Sequence, residues 1–330
     1  MSAPNPKIAV TRRIFPALID ELRRRHDVRD NQDDLPLTAA ELAARLADAD
    51  GALITAGERI DTALLAAAPR LKVVANIAVG YNNIDLAACT AAGVLVTNTP
   101  DVLNEATADH AWALLLAAAR RVTESERWLR AGQWQRWTFE MFMGADLHGA
   151  TLGILGMGRI GRAIARRAQG FAMRVVYHNR SALPAEQAGG ATWVTKDELL
   201  RSADHLIVVV PYSAATHHAI GAAELALMKP TAVLVNIARG GVVDDDALAA
   251  ALRAGRLAAA GLDVFEDEPR VRAGLLALDN VALTPHIASS TRATREAMAR
   301  LAMRNLDAAL AGERPPSLLN PEVWDNRRRY

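Results

Sequence analysis

The amino-acid sequence predicts an α/β protein with two doubly wound parallel sheets, and three observations support this fold class. The chain has 330 residues, which at about 150 residues per domain suggests two domains. Short apolar runs alternate with helix-length amphipathic segments along almost the whole chain, a pattern typical of a parallel sheet covered by helices on both faces. A glycine-rich turn, Gly156 to Gly161, lies between one such run and a helix-like segment.

The first alternating series covers residues 1 to about 98. The predicted strands of this series are Ile8–Val10, Ala52–Thr55, Val73–Ile77 and Val94–Thr97. The predicted helices between them are Thr38–Ala47, Asp61–Ala68 and Ile84–Ala92. Asp61 is a residue type that caps helix N-termini, and Gly93 is one that ends helices.

The segment after the first series has a different pattern. A long helix is predicted from about Glu105 to Arg121, and its Ala- and Leu-rich centre indicates a buried helix. The region Arg120–Phe142 combines mixed charge with no strand pattern. It contains three tryptophans, Trp128, Trp134 and Trp137. We expect this region either to pack on another surface, such as a second subunit, or to belong to the core.

A second alternating series begins at Thr151. Its predicted strands are Thr151–Leu155, Met173–Tyr177, His205–Val210, Ala232–Asn236, Ala258–Asp263 and Val281–Leu283. Its predicted helices are Arg159–Gln169, Ala222–Leu227 and Asp244–Ala254. A final helix is predicted at about Thr291–Ala311.

The charge balance argues against nucleic acid as a partner. The chain has 38 Lys and Arg residues against 37 Asp and Glu residues, a formal net charge of +1. Phosphate backbones are bound by clustered excess positive charge, which this balance does not favour. No run approaches the roughly 18 apolar residues of a membrane span, and Met1–Pro6 lacks the apolar core of a signal peptide. We therefore expect a cytoplasmic protein without nucleic-acid or membrane partners.

The cysteine and histidine content predicts no metal site. Cys89 is the single cysteine, which excludes a disulfide or a cysteine-based metal site within one chain. It lies in an Ala-rich predicted helix, where we expect a packed thiol. His217 and His218 lack further ligands at metal spacing and are expected in a solvated loop. The basic run Arg327–Arg329 is also expected to be solvated.

The glycine-rich turn predicts a dinucleotide site. It follows an apolar run, opens a helix, and is followed by a second predicted strand, which is the context that such a motif needs. The first glycine permits a tight turn, the second lets the backbone approach a pyrophosphate, and the third lets helix and strand pack closely. The predicted cofactor-binding residues of the turn are Gly156, Met157, Gly158, Arg159, Ile160 and Gly161.

The end of the second strand in this series predicts which cofactor is preferred. Sites for NAD carry an acidic residue there for the ribose 2′-hydroxyl. Here Asn179 removes the carboxylate that would repel a 2′-phosphate, and Arg180 can pair with that phosphate through its planar guanidinium. His178 and Ser181 are candidates for additional contacts. The sequence therefore favours NADP(H), with NAD(H) possible, over the alternative that Arg180 is a solvated strand-end residue.

Three segments after predicted strands carry residues suited to catalysis. They are Val235–Gly241, with Arg239; Gly261–Pro269, with Glu266 and Glu268; and Leu283–Ser290, with His286. The carboxyl ends of parallel strands share one edge of a sheet, where such sheets bind ligands, so these side chains are expected to lie together. On position alone, Glu266 and Glu268 are both candidates for the carboxylate.

Taken together, these motifs make the sequence similar to the D-isomer-specific 2-hydroxyacid dehydrogenases, over about residues 7 to 315. The resemblance also includes Val79–Asp85 and Asn98–Pro100. Within the family, the strand end at Asn179 and the segment Gly144–Gly149 are similar to glyoxylate/hydroxypyruvate reductases, above all to the branch that also reduces 2-keto-D-gluconate.

The resemblance implies a role for each catalytic candidate. His286 would donate a proton to the developing alkoxide of a 2-keto acid. Glu268, which directly precedes proline as in the family motif, would bind the other imidazole nitrogen and favour the charged ring. Arg239 would bind the substrate carboxylate or carbonyl oxygen. The backbone N–H groups of Val79 and Gly80 would hold the substrate carboxylate.

The resemblance also implies further cofactor contacts and a domain layout. The contacts are Thr107, Pro211, Ile237, Ala238, Arg239 and Asp263. Thr107 and Asp263 can equally be interpreted as polar groups of a helix turn and a strand end. Residues 1–100 with 289–330 would form a flavodoxin-like substrate domain, and 101–288 a Rossmann NAD(P)-binding domain. A homodimer is expected.

We therefore predict an enzyme that uses NADPH to reduce small 2-keto acids to D-2-hydroxy acids. Glyoxylate, hydroxypyruvate and 2-keto-D-gluconate are the expected substrates. One alternative is another D-2-hydroxyacid activity of the family, on 3-phosphoglycerate or D-lactate. A second alternative, from a different class, is a binding module that resembles the dinucleotide-sensing corepressors.

Overall fold

The computed structural model of the protein describes residues 5–328. These residues form two compact units, each built on a parallel sheet. One unit contains the described residues up to Leu103 and those from Thr291 onward, and the other is Asn104–Ser290. The predicted fold class, two parallel-sheet α/β domains, is confirmed. Residues 1–4 and 329–330, which belong to the predicted substrate domain, lie outside the described residues.

The first unit has a five-stranded sheet in the order β2-β1-β3-β4-β5. Its strands are β1 (Lys7–Val10), β2 (Asp27–Arg29), β3 (Gly51–Ile54), β4 (Val73–Asn76) and β5 (Leu95–Thr97). Its first helices are α1 (Pro16–Arg23), α2 (Ala39–Leu46), α3 (Thr62–Ala67) and α4 (Leu86–Ala91). The apolar pattern did not predict α1 and β2. The edge strand β2 has three residues and no buried one, so it carries no apolar run.

The second unit has a seven-stranded sheet in the order β12-β11-β10-β9-β6-β7-β8. Its strands are β6 (Thr151–Leu155), β7 (Arg174–His178), β8 (Thr192–Trp193), β9 (His205–Val208), β10 (Val233–Asn236), β11 (Ala259–Leu262) and β12 (Val281–Leu283). The strand order reverses between β6 and β9. In doubly wound sheets, ligands bind in the crevice beyond the carboxyl ends of the strands at such a reversal.

Eight α-helices accompany this sheet within the described residues. They are α5 (Asn104–Ala119), α6 (Val122–Arg130), α7 (Arg159–Ala168), α8 (Ala185–Ala188), α9 (Lys196–Ser202), α10 (Ala222–Leu227), α11 (Asp245–Arg253) and α12 (Ala273–Leu276). The buried face of α5 packs on β11, where a Cβ at Gly261 would lie 3.0 Å from Leu114 Cβ. The sequence did not predict α6, α8, α9, α12 or β8.

The last long helix, α13 (Arg292–Leu310), packs on β3 and β4 of the first unit. A Cβ at Gly51 would lie 2.7 Å from Leu306 Cδ1, so glycine lets this helix approach the sheet closely. Asn305, buried on α13, donates a hydrogen bond to the Asn98 carbonyl oxygen and accepts one from the Ser317 N–H. This places α13 against the strand ends that carry Val79, Gly80 and Asn98.

Near the C-terminus, Arg328 contacts the backbone of the first unit. The prediction that Arg327–Arg329 is solvated is wrong for Arg328, because its guanidinium donates hydrogen bonds to backbone carbonyls. Backbone carbonyls are strong acceptors, and this arginine satisfies those of a turn and a helix end. Those carbonyls belong to Ala68, Pro69, Leu71 and Ala92.

Within residues 5–328, no helix is long and apolar enough to cross a membrane.

Cys89 lies in α4 and is fully buried, as the sequence predicted. Burial in this apolar setting raises the pKa of its thiol to about 12, and the nearby Asp85 adds to the effect. At neutral pH the sulfur is therefore protonated and shielded from solvent.

Candidate functional site

The glycine turn connects β6 to α7, and each glycine has a distinct steric reason. Gly156 has φ +107°, and a Cβ there would lie 2.8 Å from the Val209 carbonyl oxygen. A Cβ at Gly161 would lie 2.3 Å from the Gly156 carbonyl oxygen, so the third glycine permits the helix to pack on the turn. A Cβ at Gly158 would meet no described atom within 4 Å.

These three positions fit a dinucleotide. The open space at Gly158 lies at the N-cap of α7, a helix of ten residues, whose first N–H groups and dipole favour a pyrophosphate. The side chain of Met157 is buried, and Arg159 and Ile160 form the first turn of α7. The Asn179 Oδ1 accepts a hydrogen bond from the Met157 N–H at 2.7 Å. Asn179 therefore also supports the backbone of the turn, which the sequence did not predict.

The end of β7 offers one cationic side chain to solvent. His178 is tied by Nδ1 to the Val194 carbonyl oxygen at 2.9 Å, and Trp193 Nε1 donates to the Asn179 carbonyl oxygen at 3.0 Å. Arg180 and Ser181 are exposed. Across residues 5–328, the Arg180 guanidinium has no hydrogen-bond or ion-pair partner. It is therefore available to an anionic ligand.

Arg239, Glu268 and His286 follow β10, β11 and β12, which are neighbours in the second sheet. The His286 Nδ1 lies 2.8 Å from Glu268 Oε2, and Glu268 Oε1 accepts a hydrogen bond from the Phe265 N–H at 3.0 Å. A Cβ at Gly240 would lie 1.6 Å from the Phe265 carbonyl oxygen, so only glycine lets the Arg239 segment cross this loop. The structure thus brings Glu268 and His286 into contact, with Nε2 of the imidazole outside that pair.

The charges of the site depend on one another. Burial raises the pKa of Glu268, but the His286 hydrogen bond, the Phe265 N–H and the positive charge of Arg239 together hold that pKa below its ordinary value. Burial lowers the pKa of the Arg239 guanidinium, and Glu268 opposes that effect. Arg239 Nη1 donates to the Ala238 carbonyl oxygen at 2.8 Å. The site therefore holds an ionised carboxylate near a desolvated arginine.

The structure distinguishes Glu266 from Glu268, the two candidates for the carboxylate that chain position alone did not separate. Glu266 is paired with His218 and lies 3.2 Å from Arg272 Nη2, whereas Glu268 contacts His286. His218 lies in a loop with its side chain 37% exposed, in line with the expected solvated loop, and its ring is paired with Glu266. Its neighbour His217 is exposed and stacks on it at 3.9 Å.

Asp263, predicted as a cofactor contact, has hydrogen-bond partners on both carboxylate oxygens. Oδ1 accepts from Thr284 Oγ1 at 2.6 Å and from the Ile287 N–H at 2.8 Å, and Oδ2 accepts from the Ala288 N–H at 2.8 Å. His110 Nε2 lies 3.3 Å from Oδ1. Burial raises the pKa of Asp263, and these hydrogen bonds hold it below its ordinary value. Sequence reasoning missed His110 and Thr284.

The predicted carboxylate-binding loop lies in the first unit, after β4. Asn76 Nδ2 donates to the Gly80 carbonyl oxygen at 3.0 Å, and Asn98 Nδ2 donates to the Val79 carbonyl oxygen at 2.9 Å. Both asparagines are buried. Two side chains thereby hold the two peptide units whose N–H groups were predicted to bind substrate, and neither asparagine was predicted to do so.

The other predicted cofactor residues also lie in the second unit. Thr107 is buried on α5, and Ile237 and Ala238 are buried directly after β10. Pro211 is exposed beyond β9, and its carbonyl oxygen accepts from Thr216 Oγ1 at 2.7 Å. Among residues 5–328, no three His, Cys, Asp or Glu side chains are grouped so that they could hold a metal ion.

This arrangement can transfer a proton beside a bound anion. A carboxylate–imidazole pair orients one ring nitrogen and leaves the other for a substrate oxygen. An arginine near it can stabilise negative charge that develops on that oxygen. The dinucleotide turn belongs to the same sheet, beyond the carboxyl ends of its strands.

Known proteins are similar to this chain in sequence and in fold. Residues 112–288 match the family model described as D-isomer specific 2-hydroxyacid dehydrogenase, NAD binding domain. A glyoxylate reductase of Thermococcus onnurineus is 50% identical over 328 residues, which cover 98% of each chain.

Two solved structures extend the comparison. A putative D-isomer specific 2-hydroxyacid dehydrogenase from Polaromonas superposes with a TM-score of 0.90 at 40% identity, covering 96% of this chain and 100% of that one. An NADPH-dependent glyoxylate/hydroxypyruvate reductase from Sinorhizobium meliloti, in complex with NADP and malonate, gives 0.88 at 38% identity, covering 99% of each.

Proposed function

The chain belongs to the D-isomer-specific 2-hydroxyacid dehydrogenases, and on this premise we propose that it reduces glyoxylate and related small 2-keto acids to D-2-hydroxy acids. The observation that carries the proposal is the contact between Glu268 Oε2 and His286 Nδ1, at the same sheet edge as Arg239 and the dinucleotide turn. The name of the 50% identical relative, glyoxylate reductase, supports the choice of first substrate.

In the proposed reaction, a bound reduced nicotinamide supplies a hydride to the carbonyl carbon. The substrate oxygen gains a proton from Nε2 of His286. The Glu268 carboxylate accepts from Nδ1 and so orients the ring with Nε2 toward the substrate side. Arg239 binds the carboxylate or the carbonyl oxygen and offsets its growing negative charge.

We assign substrate-carboxylate binding to the N–H groups of Val79 and Gly80. That assignment rests on the family resemblance. Their carbonyl oxygens are already engaged by Asn98 and Asn76, which supports a fixed orientation of these peptide units. Thr107, Ile237, Ala238 and Pro211 remain proposed cofactor contacts on the same basis.

We further propose that NADPH is preferred over NADH. Arg180 is exposed and without a protein partner within the described chain, and Asn179 adds no negative charge beside it. The Sinorhizobium meliloti relative, which is named NADPH-dependent, was crystallised with NADP.

A panel of 2-keto acids with each cofactor tests these proposals, with the loss of NAD(P)H absorbance as the measurement. We expect turnover of glyoxylate and hydroxypyruvate, weaker turnover of 2-keto-D-gluconate, and a higher kcat/KM with NADPH. Faster oxidation of 3-phosphoglycerate or D-lactate with NAD(P)+, measured as a gain of the same absorbance, would instead favour another activity of the family. Dinucleotide binding without turnover of any keto acid would favour a corepressor-like binding module.

We also propose a homodimer formed through the segment after α6. Trp134, Trp137 and Phe139 are 55%, 69% and 83% exposed, which is unusual for large apolar side chains. A second copy would cover them. Light scattering coupled to gel filtration is expected to give twice the chain mass of 35.4 kDa, and a monomer at micromolar concentration would contradict the proposal.

A further inference from the structure

We propose that His110 is a positioning residue for His286, acting from α5 through Thr284 and Asp263. The inference rests on the proposed function, because it concerns the proton donor of that reaction. It is carried by a chain of hydrogen bonds within the second unit that joins a long helix to the loop after β12.

The loop that carries His286 has a conformation that needs support. His286 has φ +54°, in the left-handed region, which is unfavourable for a residue with a Cβ. Its N–H donates to the Asp263 carbonyl oxygen at 2.9 Å. The next two N–H groups, of Ile287 and Ala288, both donate to the Asp263 carboxylate at 2.8 Å. Asp263 therefore holds three consecutive peptide units around the proton donor.

Donor and acceptor counting places a hydrogen on His110 Nε2. Thr284 Oγ1 lies 2.6 Å from Asp263 Oδ1, and an ionised carboxylate only accepts, so the threonine hydroxyl donates its single hydrogen there. His110 Nε2 lies 3.0 Å from the same Thr284 oxygen and 3.3 Å from Asp263 Oδ1. Both atoms can only accept from it, so Nε2 carries a hydrogen and donates.

The hydrogen bond from His110 is important because the Asp263 carboxylate that accepts it is buried. The Asp263 side chain is 1% exposed and the His110 side chain is 18% exposed. A buried acceptor that loses its donor is left unsatisfied, which is unfavourable. His110 lies in the middle of α5, a sixteen-residue helix packed on β11 and β12, so it anchors Asp263 to a rigid element. Without it, the carboxylate can turn and release the His286 loop.

Two substitutions of His110 distinguish the loss of its hydrogen-bond donor from the loss of its side-chain volume. His110→Phe keeps a ring and removes the donor, whereas His110→Gln can return an amide N–H at the Nε2 position. We expect His110→Phe to lower kcat for glyoxylate by about 10- to 100-fold, as misplaced catalytic groups do, and His110→Gln to recover most of it. The Kd for NADPH is expected to change less than kcat, because His110 is not itself a predicted cofactor contact and acts on the cofactor only through Asp263.

The matched control is Asp109→Asn, one residue away on α5, whose carboxylate pairs with Arg167. It is expected to leave kcat unchanged. Thr284→Val removes the bridging hydroxyl and supplies a second variant if His110→Phe fails to fold. Its effect on kcat should be less than additive with that of His110→Phe, because both residues act through one contact.

Amide hydrogen exchange needs no substrate turnover, so it tests the role of His110 independently of the proposed reaction. Amide hydrogen exchange of Ile287 and Ala288 is expected to be about tenfold faster in His110→Phe than in the wild type, with His110→Gln close to wild type. A wild type that reduces no keto acid would refute the proposed function but leave this measurement meaningful. Unchanged exchange together with unchanged kcat in His110→Phe would overturn the role of His110, as would a glutamine variant as defective as the phenylalanine one.

Discussion

The His286 Nδ1 lies 2.8 Å from Glu268 Oε2, and the two side chains are 37% and 34% exposed. The pair is thus open to solvent on one side while one ring nitrogen is fixed. That combination suits a proton donor, which must be oriented and yet reach its substrate.

The first prediction concerns this pair. His286→Ala is expected to lower kcat for glyoxylate reduction by about 10²- to 10⁴-fold, the usual contribution of a general acid. Glu268→Gln should cost less, because an amide can still hold the ring through Nδ1, although it carries no charge. Steady-state rates with saturating NADPH measure both. A loss of only a few-fold in His286→Ala would show that another group donates the proton.

The second prediction concerns the asparagines behind the Val79–Gly80 loop. Asn98→Ala removes the hydrogen bond to the Val79 carbonyl oxygen and is expected to raise the KM for glyoxylate about tenfold, the equivalent of one buried hydrogen bond. The KM for NADPH should not change. Asn280→Ala, at a half-buried asparagine that binds the Ala258 carbonyl oxygen, is the control. Equal KM values for glyoxylate in all three proteins would exclude this role.

The third prediction concerns cofactor choice. Arg180→Ala is expected to raise the KM for NADPH about tenfold or more and to leave that for NADH unchanged, because a charge-assisted contact with the 2′-phosphate is lost. Asn179→Asp retains an acceptor for the Met157 N–H but adds a negative charge, so it should shift preference toward NADH. Arg174→Ala, at the opposite end of β7, is the control. Parallel losses with both cofactors would contradict a phosphate contact.

The fourth prediction concerns stability and pH. Burial raises the pKa of Asp245 from its ordinary value of 3.8 to about 6, with help from the charge of Glu266. Between these values the folded state binds more protons than the unfolded state, so this group makes the protein less stable as pH rises from about 4 to about 6. Above about pH 6 the free energy of unfolding stays lower by the same amount.

Asp245→Asn should therefore raise the free energy of unfolding at pH 7 by up to about 3 kcal/mol and have little effect near pH 4. Thermal unfolding at the two pH values measures the difference. Asp246→Asn, at a neighbour whose side chain is 77% exposed, is the control and should change little at either pH. A stabilisation of equal size at pH 4 and pH 7 would mean that ionisation of Asp245 is not its cause.

The apolar runs predicted the central strands within a residue or two, because buried parallel strands such as β4 and β10 are continuous hydrophobic segments. The edge strands β2 and β8 escaped prediction because three or two partly exposed residues leave no such run. Helix α6 escaped as well, since it has no buried residue and its sequence is largely polar.

The candidate site was predictable where chemistry follows a strand end, as at Arg239 and His286. Position in the chain could not separate Glu266 from Glu268 without the family motif, because both follow β11 within six residues. The contact between His110 and Asp263 could not be predicted from the sequence, because any single histidine in an Ala- and Leu-rich helix has the same sequence pattern. Only the packing of α5 on β11 and β12 brings them together.

Cys89 is the only cysteine in the chain, and it is buried with a thiol pKa of about 12. A cysteine introduced at an exposed position would consequently be the one sulfur that reacts with a maleimide dye in the native protein at neutral pH. Fluorescent reporters can therefore be attached to either unit without first replacing any native side chain.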